Sequence, residues 1–476
     1  MKNKLPLLLS EGTPYYASNL FKAAVPVFKD RFSVVLAAPE SSFLKKLSYD
    51  SGISYAPLPE NLGPMQRRKG ETINQRLVEI EKACRYPVQK IIFASPEFYR
   101  FYISNSTAAL TYFIQLYDFY HKLIIEKEIK KFFTMGEDRV HNLLPYFILR
   151  NLGGETSLAR IVPYVGITLT TDFFGPFTAT GNIVATEGVD YESHVSAIRK
   201  RKFFRYANLQ RTSDTEMSKE DSIFAVIRRE CHLLLCEMRN PCLVHEDFRL
   251  LARLSRRILR PLREFRRRFF LKYFLYGRLT SEQDYVYFPF HVTEDAQVRL
   301  KYPEGYNQYE LVRNICKNLP ANYVLIVKEH PDTVGQYSLG ELFALSRLPN
   351  CVLVDPKISS KDIFSYAEYI ITINSTVAYE ALFFGKIVFA LGKTFHDGFP
   401  GVISLQKLSD LFEFLSTPDA LKARQEEIRL NLKGNVVPLL QSSIQFDYQH
   451  LWGGQEMYRQ VVKLMDICAS NKSVTN

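Results

Sequence analysis

Two stretches of the sequence put polar side chains where an apolar run ends. In Tyr323-Val-Leu-Ile-Val-Lys-Glu-His-Pro-Asp332 the run leads into Lys328, Glu329 and His330, and Pro331 stops it, so that polar groups project into a loop. A lysine and an imidazole at that point suit a phosphate or diphosphate and its stabilisation as a leaving group. Further along, Tyr369-Ile-Ile-Thr-Ile373 runs into Asn374-Ser375-Thr376 and then a helical stretch, where a hydroxyl cap, exposed amides and the helix dipole favour an anion. Glu380 falls one turn after Thr376 on the same face, within reach of a sugar hydroxyl beside such an anion. Taken singly, the first stretch reads equally as a polar strand end, and the second reads more readily as an ordinary Ser/Thr cap with a solvated Glu. Together, at one end of one sheet, they predict a nucleotide site. Lys328, Glu329, His330, Pro331, Asn374, Ser375, Thr376 and Glu380 would form it, with His291 lining it or serving the structure.

The elements needed to position them are legible as alternating strand and helix. Leu5–Leu9, a turn at 10–14, Tyr15–Phe28 and Phe32–Ala38 form a strand-helix-strand unit, which makes parallel sheet with a right-handed crossover. Lys90–Ala94, Lys131–Met135 and Ile161–Leu169 are expected as further strands. The second half alternates again: strands at Tyr285–Phe290, Tyr323–Lys328, Cys351–Val354, Tyr369–Ile373 and Ile387–Leu391, with helices at Tyr309–Asn318, Leu339–Leu348 and Thr376–Phe384. The expected fold class is therefore α/β, with two doubly wound Rossmann-type domains facing a cleft at the carboxyl ends of their strands. The expected divisions are 1–195, a helical insertion at 196–280, a second sheet domain at 281–435 and a helical tail at 436–476 that folds back on the first.

At 476 residues the chain is too long for one core, and its mixture of 46% apolar and 23% charged residues excludes disordered, collagen-like and coiled-coil classes. Net charge is +11, but Arg249–Arg278 holds eleven Lys/Arg against one acid, Glu264. A general nucleic-acid surface is thereby excluded, because the rest of the chain is nearly neutral. Within that segment Leu251, Leu254, Ile258, Leu262, Phe265 and Phe269 follow helical spacing. Arg256, Arg257, Arg260, Arg263 and Arg267 would meet an anionic membrane or, alternatively, solvent and acids elsewhere in the protein. The seven scattered cysteines lack a disulfide spacing, which suits a reducing compartment. Leu5–Leu9 is short for a signal core, and no run of about 18 apolar residues occurs; a cytoplasmic protein, peripheral at most on the membrane, is expected.

Phe288-Pro-Phe-His291-Val-Thr-Glu294, Leu319-Pro320, Val327-Lys-Glu-His-Pro331, Thr372-Ile-Asn-Ser-Thr376, Glu380-Ala-Leu and Gly385-Lys386 occur in that order. Over roughly residues 284–395, about a quarter of the chain, the sequence resembles the C-terminal half of the bacterial capsule polysaccharide biosynthesis proteins, which include 3-deoxy-octulosonate (Kdo) transferases of the GT-B fold. The resemblance implies a nucleotide-sugar donor, CMP-linked or else UDP-linked, and a glycan or glycolipid acceptor. It also implies that Lys328 and His330 contact donor phosphate, Ser375 and Thr376 phosphate or base, and Glu380 the ribose. Epimerase, hydrolase and non-catalytic scaffold are the rival functions of such an architecture.

A transferase of this type needs an acid/base group from its first domain. Met135-Gly-Glu-Asp-Arg139 offers Glu137 or Asp138 as base, the other as a sugar ligand, and Arg139 to hold a carboxylate or phosphate. A capping role for Asp138 competes, and Glu11 and Asp172 are further carboxylates. Cys231, His232, Cys236, Cys242 and His245 fit no zinc spacing, and neither metal nor cofactor is expected.

Overall fold

The computed structural model describes residues 4–11, 14–59, 72–136, 139–162, 164–173, 190–200, 275–292, 295–330, 337–441, 443–444 and 455–472. Glu137, Asp138, Pro331, the five arginines of the basic segment and the Cys231–His245 cluster lie outside them.

The first sheet consists of β1 (Pro6–Ser10), β2 (Ser33–Ala38), β3 (Ser54–Pro57), β4 (Lys131–Thr134), β5 (Glu155–Val162) and β6 (Gly166–Thr170). Their order is β3-β2-β1-β4-β5-β6, parallel throughout except for the β5/β6 pair. Alternate side chains of β1 serve opposite layers: Leu8 packs with the helices on one face, Leu7 and Leu9 with those on the other. A strand buried on both sides must be apolar along its length, which explains the Leu-Leu-Leu run.

The second sheet consists of β7 (Asp284–Pro289), β8 (Tyr323–Lys328), β9 (Cys351–Val354), β10 (Ala367–Thr372), β11 (Ile387–Ala390) and β12 (Val402–Ser404). Its order is β12-β11-β10-β7-β8-β9, parallel in every pair. Both sheets thus have the doubly wound order, reversing between β1 and β4 in one and between β7 and β10 in the other.

The two sheets meet by their carboxyl edges, a GT-B-like arrangement. The turn between β5 and β6 buries Val162 and Val165 in the second domain's core. From the opposite side, Arg299 of the helix Ala296–Lys301 reaches the first domain and donates to the Phe93 carbonyl at 2.8 Å. The guanidinium lies 5.0 Å from the Phe93 ring, 5.5 Å from Tyr99 and 4.8 Å from Tyr306.

The chain crosses between domains more than once. The helix Tyr191–Lys200 spans the expected boundary at 195 and buries Val195 and Ile198 in the second core. After the long helix Pro418–Gln441, Ile444 bridges to Ile167 of β6. The helix Gln455–Lys472 then lies on the first domain, where Tyr458 meets Phe28 edge-on at 6.0 Å.

Two elements differ from expectation. The Lys90–Ala94 run is part of a helix, Val88–Ala94, whose Val88, Ile91 and Ile92 are buried. A short apolar run does not distinguish the two periods, and here the 3–4 spacing prevails. Ile161–Leu169 is not one strand but the tight hairpin of β5 and β6, because the chain reverses where Tyr164 takes a left-handed φ and the Val165 amide donates back to the Val162 carbonyl.

Candidate functional site

The second sheet's switch point brings together the ends of β7 and β10. His291 follows β7, and its ring Nε2 accepts the Asn374 amide at 3.3 Å and stands 3.1 Å from the Thr372 hydroxyl. An accepting Nε2 puts the proton of the neutral ring on Nδ1. Burial, reinforced by the charge of His330, pulls His291 down to about 3, so it is neutral at pH 7. Its backbone is clamped from both sides by the buried Gln308 amide, which accepts the His291 N–H at 2.7 Å and donates to its carbonyl at 3.1 Å. His291 therefore fastens the two loops that emerge at this point and faces inward rather than onto open surface.

The loop after β10 has an ordered cap. Thr372 Oγ1 accepts the Ser375 amide at 2.9 Å, and Ser375 Oγ accepts the Val377 amide at 3.2 Å, starting the helix Thr376–Leu382. Asn374, Ser375 and Thr376 are half-buried at the sheet's carboxyl edge. Glu380 is buried on this helix, and its Oε1 accepts the hydroxyl of Tyr164 from the first domain at 2.9 Å.

At the end of β8 the three charged residues diverge in role. Lys328 is only 4% exposed and donates to the Ile358 carbonyl and to Ser360 Oγ, both at 3.0 Å. Burial lowers its pKa to about 8, against the raising effect of Glu380 and Asp362. It remains largely a cation at pH 7, but one tied beneath the site. Glu329 is buried as well, whereas His330 is half-buried at the edge. Of the three, His330 is the most exposed.

In the first domain, Arg139 forms a buried ion pair with Glu11, so the two residues that leave β4 and β1 are held to each other across the switch point. Ser10 Oγ lies 2.8 Å from the Tyr120 hydroxyl and donates to the His141 carbonyl at 3.0 Å. Asp172 accepts the Tyr146 hydroxyl at 2.9 Å and stands 3.5 Å from Arg150, at the far side of β5. Among the described residues no group of three or more His, Cys, Asp or Glu is arranged to hold a metal ion. No helix among them is long and apolar enough to cross a membrane.

Sequence reasoning passed over Thr372, Gln308 and Tyr164. Gln308 carried a signal, as an amide at the start of an amphipathic helix, on the face that Leu311, Val312 and Ile315 bury. Tyr164 carried none of its own, since its partner is 216 positions away.

Residues 212–426 match a family model described as capsule polysaccharide biosynthesis protein. Protein FixF of Sinorhizobium fredii is 34% identical over 111 residues, 23% of this chain and 26% of that protein. Capsule polysaccharide modification protein LipA of Neisseria meningitidis serogroup B is 30% identical over 122 residues, 25% of this chain and 17% of that one. The chain thus spans about a quarter or less of the length of these curated relatives. Among solved structures, the beta Kdo 2,7 transferase KpsC of Thermosulfurimonas dismutans aligns at 18% identity and TM-score 0.29, covering 62% of this chain and 78% of that one. Anabaena HepE in complex with UDP and glucose aligns at 10% identity and TM-score 0.31, covering 97% and 99%.

Proposed function

We propose that this chain, whose residues 212–426 match the capsule polysaccharide biosynthesis protein family model, is a glycosyltransferase. It would move Kdo or another acidic sugar from a CMP-linked donor, with UDP the alternative, to a glycan or glycolipid at the cytoplasmic face of the membrane. The observation that carries this reading is the apposition of the two carboxyl edges, with Glu380 of one sheet bonded to Tyr164 of the other at 2.9 Å. Donor and acceptor held on facing edges are brought together without crossing bulk water.

In this reading the nucleotide lies along Asn374, Ser375 and Thr376, with Glu380 toward the ribose and His330 and Pro331 toward phosphate. His330 donates to the leaving phosphate, while Lys328 acts from beneath through its field rather than by contact. The acceptor oxygen bonds to the anomeric carbon, its proton passes to Glu137 or Asp138, and the bond from that carbon to the phosphate oxygen breaks to release the nucleotide. The Glu11–Arg139 pair braces the corner from which this base emerges.

Calorimetry with CMP, UDP, GDP and dTDP, on the native chain and on H330A, tests the site. One nucleotide should bind, and H330A should weaken it at least tenfold with no loss of folded structure, as expected for a charge-assisted contact. Unchanged affinity in H330A would remove the assignment, and donor turnover without any acceptor would replace transfer with hydrolysis or epimerisation.

A further inference from the structure

Tyr164 sits at the tip of the β5–β6 turn with φ at 66°, where the Val165 amide donates to the Val162 carbonyl at 3.1 Å. This is the left-handed region that turns ordinarily fill with glycine or asparagine, and an aromatic residue there is strained. Such strain persists only where the surroundings over-determine it. Here Val162 and Val165 on either side are buried in the second domain's core, and the Tyr164 ring packs against it. The hydroxyl is thereby delivered to Glu380 Oε1. Because β5 runs parallel to β4, this turn emerges at the carboxyl edge of the first sheet. Glu380 stands on the helix that follows β10, at the second sheet's switch point.

We infer that Tyr164 is a positioning residue, supplied by the first domain, that orients the Glu380 carboxylate toward the ribose hydroxyls of the nucleotide. The inference rests on the donor-site reading above. A free glutamate samples many rotamers, and a fixed phenol that holds one carboxylate oxygen removes that freedom before the ligand arrives. The bond is charge-assisted, hence stronger than one between neutral groups. Since donor and acceptor of this hydrogen bond belong to different domains, ribose recognition is complete only when the two edges are together.

The test compares each nucleotide with its 2′-deoxy counterpart, CMP with dCMP and UDP with dUDP, by calorimetry on the native chain, Y164F, Y164G, E380Q and the Y164F/E380Q double variant. The native chain should prefer the ribonucleotide. Y164F should cut that preference about tenfold while leaving deoxynucleotide affinity unchanged, as expected for loss of one hydrogen bond to a charged group. The double variant should lose no more than E380Q alone. Y164G, which relieves the backbone strain but lacks the hydroxyl, should lose the preference as Y164F does. Equal weakening of both nucleotides in Y164F, or an intact preference, overturns the inference while leaving the nucleotide site standing. A native chain that binds nucleotide without preferring ribose removes the Glu380 assignment and this inference with it. A native chain that binds none of the four removes the proposed function as well.

Discussion

His291 and Thr372 stand 3.1 Å apart across the pair of strands at which the second sheet reverses its order. The Thr372 hydroxyl also accepts the Ser375 amide at 2.9 Å, so one side chain locks both loops of the switch point. Replacing it with valine keeps the shape but leaves the amide and the ring nitrogen short of a partner. T372V should lose about 1–3 kcal/mol in chemical denaturation, the usual cost of orphaned buried groups, and T372S should recover most of it. A T372V variant as stable as the native chain would contradict this account of the loops.

Three buried histidines and a half-buried one set the acid limit of the fold. Burial is the leading cause that holds His141, His291 and His396 down to about 3 and His194 to about 4. In the unfolded chain these rings take a proton near 6.5, so below that pH the unfolded state binds more protons. Stability should therefore be fully present above about pH 6.5 and fall as pH drops toward 4, by up to about 1.4 kcal/mol per pH unit for each ring. Among the described residues the His396 ring nitrogens have no hydrogen-bond partner, and its ring packs with Phe395 and Tyr379. H396F should flatten the slope and match or exceed native stability at pH 8; denaturation midpoints across pH 4–8 would show an unaltered slope if the ring is not the cause.

The Arg299 cage ties the domains by a buried cation. Its guanidinium donates to the Phe93 carbonyl at 2.8 Å and to the Tyr306 hydroxyl at 3.2 Å, between three aromatic rings. Lysine cannot reproduce a planar fork stacked on rings, and R299K should cost about 2 kcal/mol, the scale of a desolvated cation–π contact. R299A should cost about 3–5 kcal/mol through lost packing and an empty polar cage. Limited proteolysis alongside denaturation would register the domains parting, and an R299A chain with one unshifted transition would refute the role.

The basic segment Arg249–Arg278 is proposed to meet an anionic membrane that carries the acceptor. At about 1 kcal/mol per basic residue near such a surface, changing Arg256, Arg257, Arg260, Arg263 and Arg267 to Gln should abolish sedimentation with anionic vesicles. Neutral vesicles should bind neither form. Equal sedimentation of both forms with anionic lipid would assign the charge to the protein's own acids.

How much could be read beforehand depended on the range of the interaction concerned. The strands Tyr323–Lys328 and Cys351–Val354 are found at their expected limits, because a parallel strand buried on both faces must be an unbroken apolar run. Lys90–Ala94 reads as a strand but lies in the helix Val88–Ala94, because so short an apolar run fits either period. The hairpin at 162–166 was missed although Pro163 announced it.

For the site, the local code named the loops at 328–330 and 374–380, since strand ends and caps are written in adjacent residues. It could not say which of those side chains would be spent on the fold. Lys328 bonds to Ile358 and Ser360, His291 to Thr372 and Asn374, and Arg139 to Glu11, all partners brought close only by sheet order. By itself the sequence determined the two alternating α/β halves, the apolar strands and the loops that carry polar groups, because these follow from short-range periodicity and capping. Only the tertiary structure decided that Tyr164 meets Glu380 and that Arg299 enters the cage of Phe93 and Tyr99. Those contacts depend on how two separately formed sheets are apposed, and no spacing along the chain encodes that.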